Sequence, residues 1–295
     1  MASARTNNPF QRKNSVDHLI TIALALYGLA ILYPFYNSIL VSLVSEKEYM
    51  TTPFMLFPKN PTLLSYRYVF TSADILNGYI STLIIVVFGV AYNMVLTTTS
   101  AYALTKEFPG KKVIMVLIIF TMYFGGGLIP YYMLVKNLGL IDTYAALILP
   151  YGVNTFYMLV MRNYFKSIPG EIEESAKIDG ANELLILWKI ILPVSLPVIA
   201  TFLLFFAVDR WGEWFNGVLF IKTTAKRPLQ MVLRSILMSL SNEASINMPP
   251  ELKKNLYGDS VKMACVVVVM APIMFVYPFV QKYFMKGIMV GAVKT

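Results

Sequence analysis

The chain has 295 residues, 57% hydrophobic and only 14% charged, with a mean hydropathy of +0.62. A water-soluble domain is about half apolar and a quarter charged, so these values exclude a soluble globular protein and point to an integral membrane protein. The formal net charge of +9 is scattered over loops with no basic stripe carrying interleaved aromatics, which argues for membrane-anchoring charges and against a nucleic-acid surface.

Residues 1–17 carry Arg5, Arg12 and Lys13 ahead of an apolar run from Leu19 to Val44. No small-residue cleavage site interrupts that run, so it reads as a retained span. A bilayer core of about 30 Å needs about 20 mostly apolar residues per helix. Six segments meet this, at roughly 18–45, 78–105, 113–135, 143–164, 193–220 and 260–285. Pro34 in the first and Gly125-Gly126-Gly127 with Pro130 in the third predict bends. Broken backbone at membrane depth is tolerated where protein or a cavity covers it, so the third helix is either a pathway element or a packing kink.

With the N-terminus inside, the short loop KEFPGKK (106–112) and the basic N-terminus obey the positive-inside rule, although Lys222, Lys226, Arg227, Arg234, Lys253 and Lys254 then lie outside. Two outer loops are long. One, about 46–77, contains NPTLLSYRYVF, which reads as a short amphipathic surface helix. The other, about 222–259, contains RPLQMVLRSILMSL and then the polar NMPPELKKN.

Catalytic chemistry finds no support. PGKK at 109–112 lacks the leading glycine and the Ser/Thr of a phosphate-binding loop. The single His18 and single Cys265 cannot build a metal site or a nucleophile–base pair, so no catalytic or metal residue is assigned.

The most patterned stretch runs from Ser167 to Pro193, between two apolar segments, and carries Glu171, Glu173, Glu174, Asp179 and Glu183. Its first part reads as a brief capped helix: Ser167 as the cap, Pro169 in the first turn, three Glu at the positive end of the dipole and Gly180 closing the far end. In EESAKIDGANELLILWKIILP (173–193), residues Glu174, Ser175, Ala176, Asp179, Gly180, Ala181, Trp188, Ile190, Leu192 and Pro193 stand in register with the E-A-A, D-G-A, L-P motif. That motif marks ABC-importer permeases, which this sequence resembles; only Ser175 departs, small for small. NPTLLSYRYVF, TMYFGGGLIPYYMLVKNLGLIDTYAALILP (121–150), RPLQMVLRSIL (227–237) and the C-terminal KGIMVGAVKT extend the likeness to carbohydrate-importer permeases of the maltose type. GGLIPYYMLVKNLGLIDT with PLQMVLR is similar to a branch for complex oligosaccharides and polysaccharides, near the permeases of bacterial alginate import.

The resemblance implies an all-α, six-helix type I importer transmembrane domain over 18–295, in a bacterial inner membrane, with both termini and a coupling loop at 167–192 in the cytoplasm. It implies a second related permease subunit, two ATPase subunits docking on that loop and holding ATP and Mg, and an external solute-binding protein on the outer loops. The chain itself would bind no cofactor and catalyse nothing. Glu171, Glu174, Ala176, Asp179, Gly180 and Ala181 are the expected ATPase-coupling residues: Glu174 and Asp179 to pair with basic groups, Ala176 and Ala181 to keep the contact surface small, Gly180 to turn.

For the substrate path the candidates are Tyr151, Asn154, Tyr157, Asp209, Arg210, Trp211, Glu213 and Trp214. Helical spacing would place Tyr151, Asn154 and Tyr157 near one face, where a sugar's hydroxyls meet polar groups and its ring faces meet aromatics. In AVDRWGEWFNGVLF (207–220), Asp209, Arg210 and Glu213 are ionisable groups inside an apolar span. Such groups face a cavity or one another. Either Arg210 meets a substrate carboxylate bidentately, with Trp211 and Trp214 stacking on sugar rings, or an Asp–Arg or Arg–Glu pair locks helices. The branch resemblance, together with Arg210 in the first of these roles, implies an acidic oligo- or polysaccharide such as alginate as the substrate. A neutral-oligosaccharide importer, a secondary transporter and a membrane scaffold are the alternatives.

Overall fold

The computed structural model describes residues 15–52, 55–239 and 258–292. All of its regular elements are helical, and the described residues contain no strand. The chain divides into two compact units, one of residues 1–69 and 246–267 and one of 70–245 and 268–295.

In the first unit, α1 (Ser15–Ser42) runs through Pro34 as one helix and is apolar along its length. Its large side chains from Leu19 to Tyr33 lie exposed, and burial begins only at Leu40, Val41 and Val44. A helix apolar all round whose large side chains are exposed over 19–33 suits lipid or a partner's surface there. The loop after α2 (Glu46–Thr51) folds back on that helix, because the buried Glu48 carboxylate accepts from the backbone of Lys59 and Asn60. The predicted NPTLLSYRYVF helix is α3 (Leu64–Thr71), with Ser65 and Val69 buried. Ser65 shares a hydrogen bond of 2.6 Å with Ser260, near the start of the last helix.

In the second unit the organising element is α4 (Ala73–Ala103), 31 residues long. One face buries Gly78, Ser81, Gly89, Asn93, Thr97 and Ala101. Small and weakly polar residues allow close helix approach in a lipid setting, where burial of bulk offers no advantage over lipid. Gly78 shows how close: a Cβ there would sit 3.2 Å from the Leu229 Cα of α14 (Leu229–Ser239).

The third predicted span is broken. α5 (Lys111–Tyr123) and α6 (Leu128–Asn137) meet at 111° across 124–127. Gly127 takes φ +86°, a conformation that only glycine adopts without strain, so the triple glycine does make the expected bend.

The segment expected as one helix over 143–164 is instead α7 (Ala145–Ile148), a 3₁₀ turn (Leu149–Tyr151), and α8 (Thr155–Lys166). Pro150 and Gly152 stand at the interruption, where the helical ladder loses a donor and a side chain.

The segment expected as the coupling loop forms α9 (Gly170–Ile178), α10 (Glu183–Ile186), a π-turn (Leu187–Ile191) and α11 (Leu192–Val194). Beyond it α12 (Leu196–Trp211) leaves at 89°. Pro193 and Pro197 flank that corner, each withholding an N–H from the ladder, and the wide turn lies just before Pro193. The fifth predicted span ends early, at Trp211, and α13 (Phe215–Phe220) follows as a separate helix.

RPLQMVLRSILMSL forms α14, while NMPPELKKN and the last residues, 293–295, lie outside the described residues. The final helix is α15 (Gly258–Ala292). By length and apolarity, three described helices can each cross a membrane alone, and the two bent pairs can each act as one further span.

Candidate functional site

The acidic helix α9 is closed by paired backbone bonds. The Ala181 N–H donates to the Ala176 carbonyl (3.0 Å) and the Gly180 N–H to the Lys177 carbonyl (3.0 Å), with Gly180 at φ +83°. This is a Schellman motif, which requires a left-handed residue after the cap and brings the third-last helical residue against the one after the glycine. Those two residues are Ala176 and Ala181, and Ala176 is buried in the hydrophobic cluster that also holds Tyr102, Met161, Phe165 and Ile186. The expectation that Ala176 lies on the docking surface is therefore corrected, since it packs inward and is small because the helix lies close on that core. The expected cap is corrected too: Ser167 ends α8, donating to the Tyr164 carbonyl (2.6 Å), and Pro169 precedes the first turn of α9.

The five acids separate into two sets. Glu173 and Glu183 turn inward to Lys106, beyond the end of α4, and Glu183 also pairs with Lys177 at 2.8 Å. Tyr102 donates to Glu183 (2.7 Å), and the Lys106 ammonium lies 4.2 Å from the Tyr102 ring centre. The hydrogen bond from Lys177, then those from Tyr102 and Lys106, pull the Glu183 carboxyl down to about 2. A folded value below the ordinary one means that the cluster's stabilisation is complete above the ordinary carboxylate range. It is lost only as pH falls through about 2, so the brace persists at any pH near neutrality. Glu171, Glu174 and Asp179 point outward, exposed, and none of them has an ion pair among the described residues. Ile178 beside them is 86% exposed. The outer face of α9 thus offers three free carboxylates around an uncovered apolar side chain.

At the other end of α12, Arg210 is 4% exposed, and neither expected role fits it. It forms no ion pair with Asp209 or Glu213 among the described residues, and its buried guanidinium presents no donor to solvent. Its guanidinium donates to the Leu147 carbonyl, to the carbonyls of Ile148 (3.2 Å) and Tyr151 (3.0 Å), and to Asn93 Oδ1 (2.9 Å). Glu213 instead accepts from the Asn216 N–H (3.1 Å) and Nδ2 (3.0 Å), closing the turn into α13.

Tyr151, Asn154 and Tyr157 do not share a helical face. Tyr151 belongs to the 3₁₀ turn and donates to Asn216 (2.8 Å), while Asn154 is the N-cap of α8, accepting from the Tyr157 N–H (3.2 Å). The extended backbone at Asn154 resets the helical phase between them.

The sequence profile of the binding-protein-dependent transport system inner membrane components matches residues 109–290, a range that contains the whole coupling loop and the Arg210 region. The chain belongs to that family. Protein LplC of Bacillus subtilis (strain 168) is 43% identical over 275 residues, covering 90% of each chain. The polygalacturonan/rhamnogalacturonan transport system permease protein YtcP of the same organism is 40% identical over 286 residues, covering 94% of this chain and 98% of that one. A solved chain of a bacterial ABC transporter involved in the import of the acidic polysaccharide alginate is 32% identical, with a TM-score of 0.84, covering 94% of this chain and all of that one. A second solved chain is 13% identical with a TM-score of 0.50 and shares the fold. It comes from a bacterial alginate ABC transporter in complex with an alginate pentasaccharide-bound periplasmic protein. The chain is thus an all-α type I ABC importer transmembrane domain, and the relatives it matches are transport components.

Of the remaining path candidates, this permease brings three to one cavity. Tyr157, Asp209 and Trp211 line a hollow of about 620 Å³ with Leu83, Phe205 and Pro272, between α4, α8, α12 and α15. Tyr157 donates to Asp209 (3.1 Å), and Trp211, largely buried, donates its indole N–H to the Val269 carbonyl (3.3 Å). The walls are otherwise apolar. Trp214 lies elsewhere, with the exposed Arg234 guanidinium 3.9 Å from its ring centre.

Sequence reasoning missed Asn93, Lys106 and Gly89. Asn93 carried a signal, since an amide within an apolar helix is costly unless it is used. Lys106 was counted only as an inside charge, and no local pattern ties it to acids 67 and 77 residues later.

Proposed function

We propose that this chain is one of two permease subunits of an ATP-driven, binding-protein-dependent importer of acidic oligosaccharides. The observation that carries the reading is the full-length likeness to the alginate-importer chain. Similarity to the polygalacturonan/rhamnogalacturonan permease supports the same substrate class, because galacturonan, like alginate, is a chain of uronic acids. Arg210 gives the acidic preference no support, as its donors are taken by carbonyls and Asn93.

In this reading α9 faces the cytoplasm, as do both termini. The free carboxylates of Glu171, Glu174 and Asp179, with Ile178, meet an ATPase subunit. Two such subunits hold ATP and Mg, so this chain binds no cofactor and performs no hydrolysis. A loaded binding protein docks on the outer loops and closure of the ATPase pair drives alternating access. Tyr157 and Asp209 belong to the path on this chain, and the six predicted segments are the spans, with the bent pairs and the divided segment 143–164 as broken ones.

The test is reconstitution of the full complex with its binding protein and measurement of stimulated ATPase and uptake. Alginate and galacturonan oligosaccharides should stimulate both, and neutral maltooligosaccharides or arabinooligosaccharides should not. Stimulation by neutral sugars alone would overturn the substrate class. Uptake by the permease pair without ATPase subunits would overturn the ATP-driven mechanism.

A further inference from the structure

The last turn of α12 holds both sides of the break that divides 143–164. Arg210 reaches the carbonyls of Leu147, Ile148 and Tyr151 on the N-terminal side of the break. Asn93, which accepts from Arg210 Nε, donates to the carbonyls of Tyr151 and Gly152 (2.9 Å). The neighbouring Asp209 accepts from Tyr157, in the first turn of α8, on the C-terminal side. A helix that ends inside an apolar region leaves carbonyls with neither water nor a following turn to satisfy them. A guanidinium suits this place, since its planar fork reaches several acceptors and its charge opposes the negative end of a helix dipole.

The room for it is built in. A Cβ at Gly89 would stand 2.9 Å from Arg210 Nε, and one at Gly152 would stand 2.7 Å from Leu96 and 2.8 Å from Tyr92. Gly89 and Asn93 lie one turn apart on α4, so a single face of that helix seats both the arginine and its amide partner.

The chain between these anchors is the coupling hairpin. α8 runs from the break down to α9, and α10, the π-turn, α11 and α12 run back from α9 to Arg210. The hairpin is therefore braced at one end by Lys106, Glu173 and Glu183, and tied at the other to the break by residues 209 and 210.

We propose that Arg210, with Asn93, is the positioning latch that makes the broken segment 149–154 move with the coupling hairpin, so that displacement of α9 arrives at the break. Arg210 acts through these carbonyls and touches no substrate. The proposal rests on the reading that an ATPase subunit docks at α9.

The assembled complex carrying Val153→Cys reports the outcome, since Val153 is 41% exposed beside the break and the native Cys265 is buried. Maleimide labelling at position 153 is compared with and without ATP plus vanadate. The wild-type background should show a nucleotide-dependent change in rate. In Arg210→Gln the complex should still hydrolyse ATP, while that change falls at least about fivefold, the lower end of typical coupling energies.

Gly89→Ala is the second variant. It keeps the charge and raises helix propensity, yet displaces the guanidinium, and it should have the same effect. An undiminished labelling change in either variant, once assembled, overturns the latch. Failure of both variants to assemble also overturns it, because Arg210 would then serve folding alone. A wild-type complex with no nucleotide response overturns the latch, whereas unchanged ATPase association in a Glu171→Lys, Glu174→Lys double variant overturns the docking reading, which separates the two failures.

Discussion

Gly180 and Arg210 illustrate how single residues set this molecule's working parts. Gly180 sits at φ +83°, where a Cβ costs roughly 1–2 kcal/mol. Nothing crowds its Cβ position, so the cost of Gly180→Ala is conformational rather than steric. That substitution should weaken the end of α9 and reduce co-purification of ATPase subunits by about fivefold to tenfold, the equivalent of 1–1.4 kcal/mol. Gly180→Asn, which tolerates the left-handed region, should retain most of it, and equal loss in both variants would contradict the conformational account. The D-G-A triplet was legible because such a turn imposes a residue type on one position. Arg210 was legible as costly but not as to its role, because its acceptors are backbone carbonyls about 60 residues away, and carbonyls leave no mark on a sequence.

At the scale of elements, helix breaks do as much as helices. The triple glycine, the Pro150–Gly152 interruption and the Pro193/Pro197 corner each convert an apolar run into a bent or divided one. Asp142 joins two such pieces. Its N–H donates to the Phe220 carbonyl (2.8 Å), and its carboxylate accepts from the N–H groups of Lys222 (3.0 Å) and Thr223 (2.9 Å) and from Thr223 Oγ1 (2.6 Å). Lys226 caps the Asp142 carbonyl at 2.7 Å. These bonds, Thr223's hydroxyl first, hold the Asp142 carboxyl far below the ordinary carboxylate range, so the clamp is complete at neutral pH and fails only in strong acid. Asp142 also adopts φ +62°. Asp142→Ala should therefore loosen both the turn before α7 and the loop after α13. Asp142→Asn should keep the backbone conformation and part of the acceptor set. Limited proteolysis between 220 and 227 checks this, with Ala cut faster than Asn and Asn faster than wild type. Equal rates in all three would remove the clamp from consideration.

For the whole molecule, the exposed acids on α9 and the exposed apolar side chains of α1 and α5 mark faces that a lone chain does not cover. The α9 face carries three carboxylates and one large apolar residue, a composition suited to a basic, hollowed partner surface. If α9 is the proposed docking face, a Glu171→Lys, Glu174→Lys double variant loses association with the proposed ATPase subunits by tenfold or more, since like charges brought together cost several kcal/mol. Pairing with the second permease should be unchanged. Native mass spectrometry of the purified assembly distinguishes the two contacts, and intact ATPase association would place the docking face elsewhere.

The sequence by itself determined the membrane character, the helical class, the E-A-A and D-G-A motif and the bend at the triple glycine. Each of these follows from local composition or from a residue type with a fixed backbone consequence. Only the tertiary structure decided which acids of the coupling loop are braced and which are free, that Ala176 is core, and that Tyr151, Asn154 and Tyr157 do not share a face. It alone turned Arg210 from a candidate for a pathway cation or an ion pair into a holder of broken-helix carbonyls. For the acids and Arg210 the reason is the same: whether a polar group is free or spent depends on partners far along the chain, and local spacing does not encode which partner arrives.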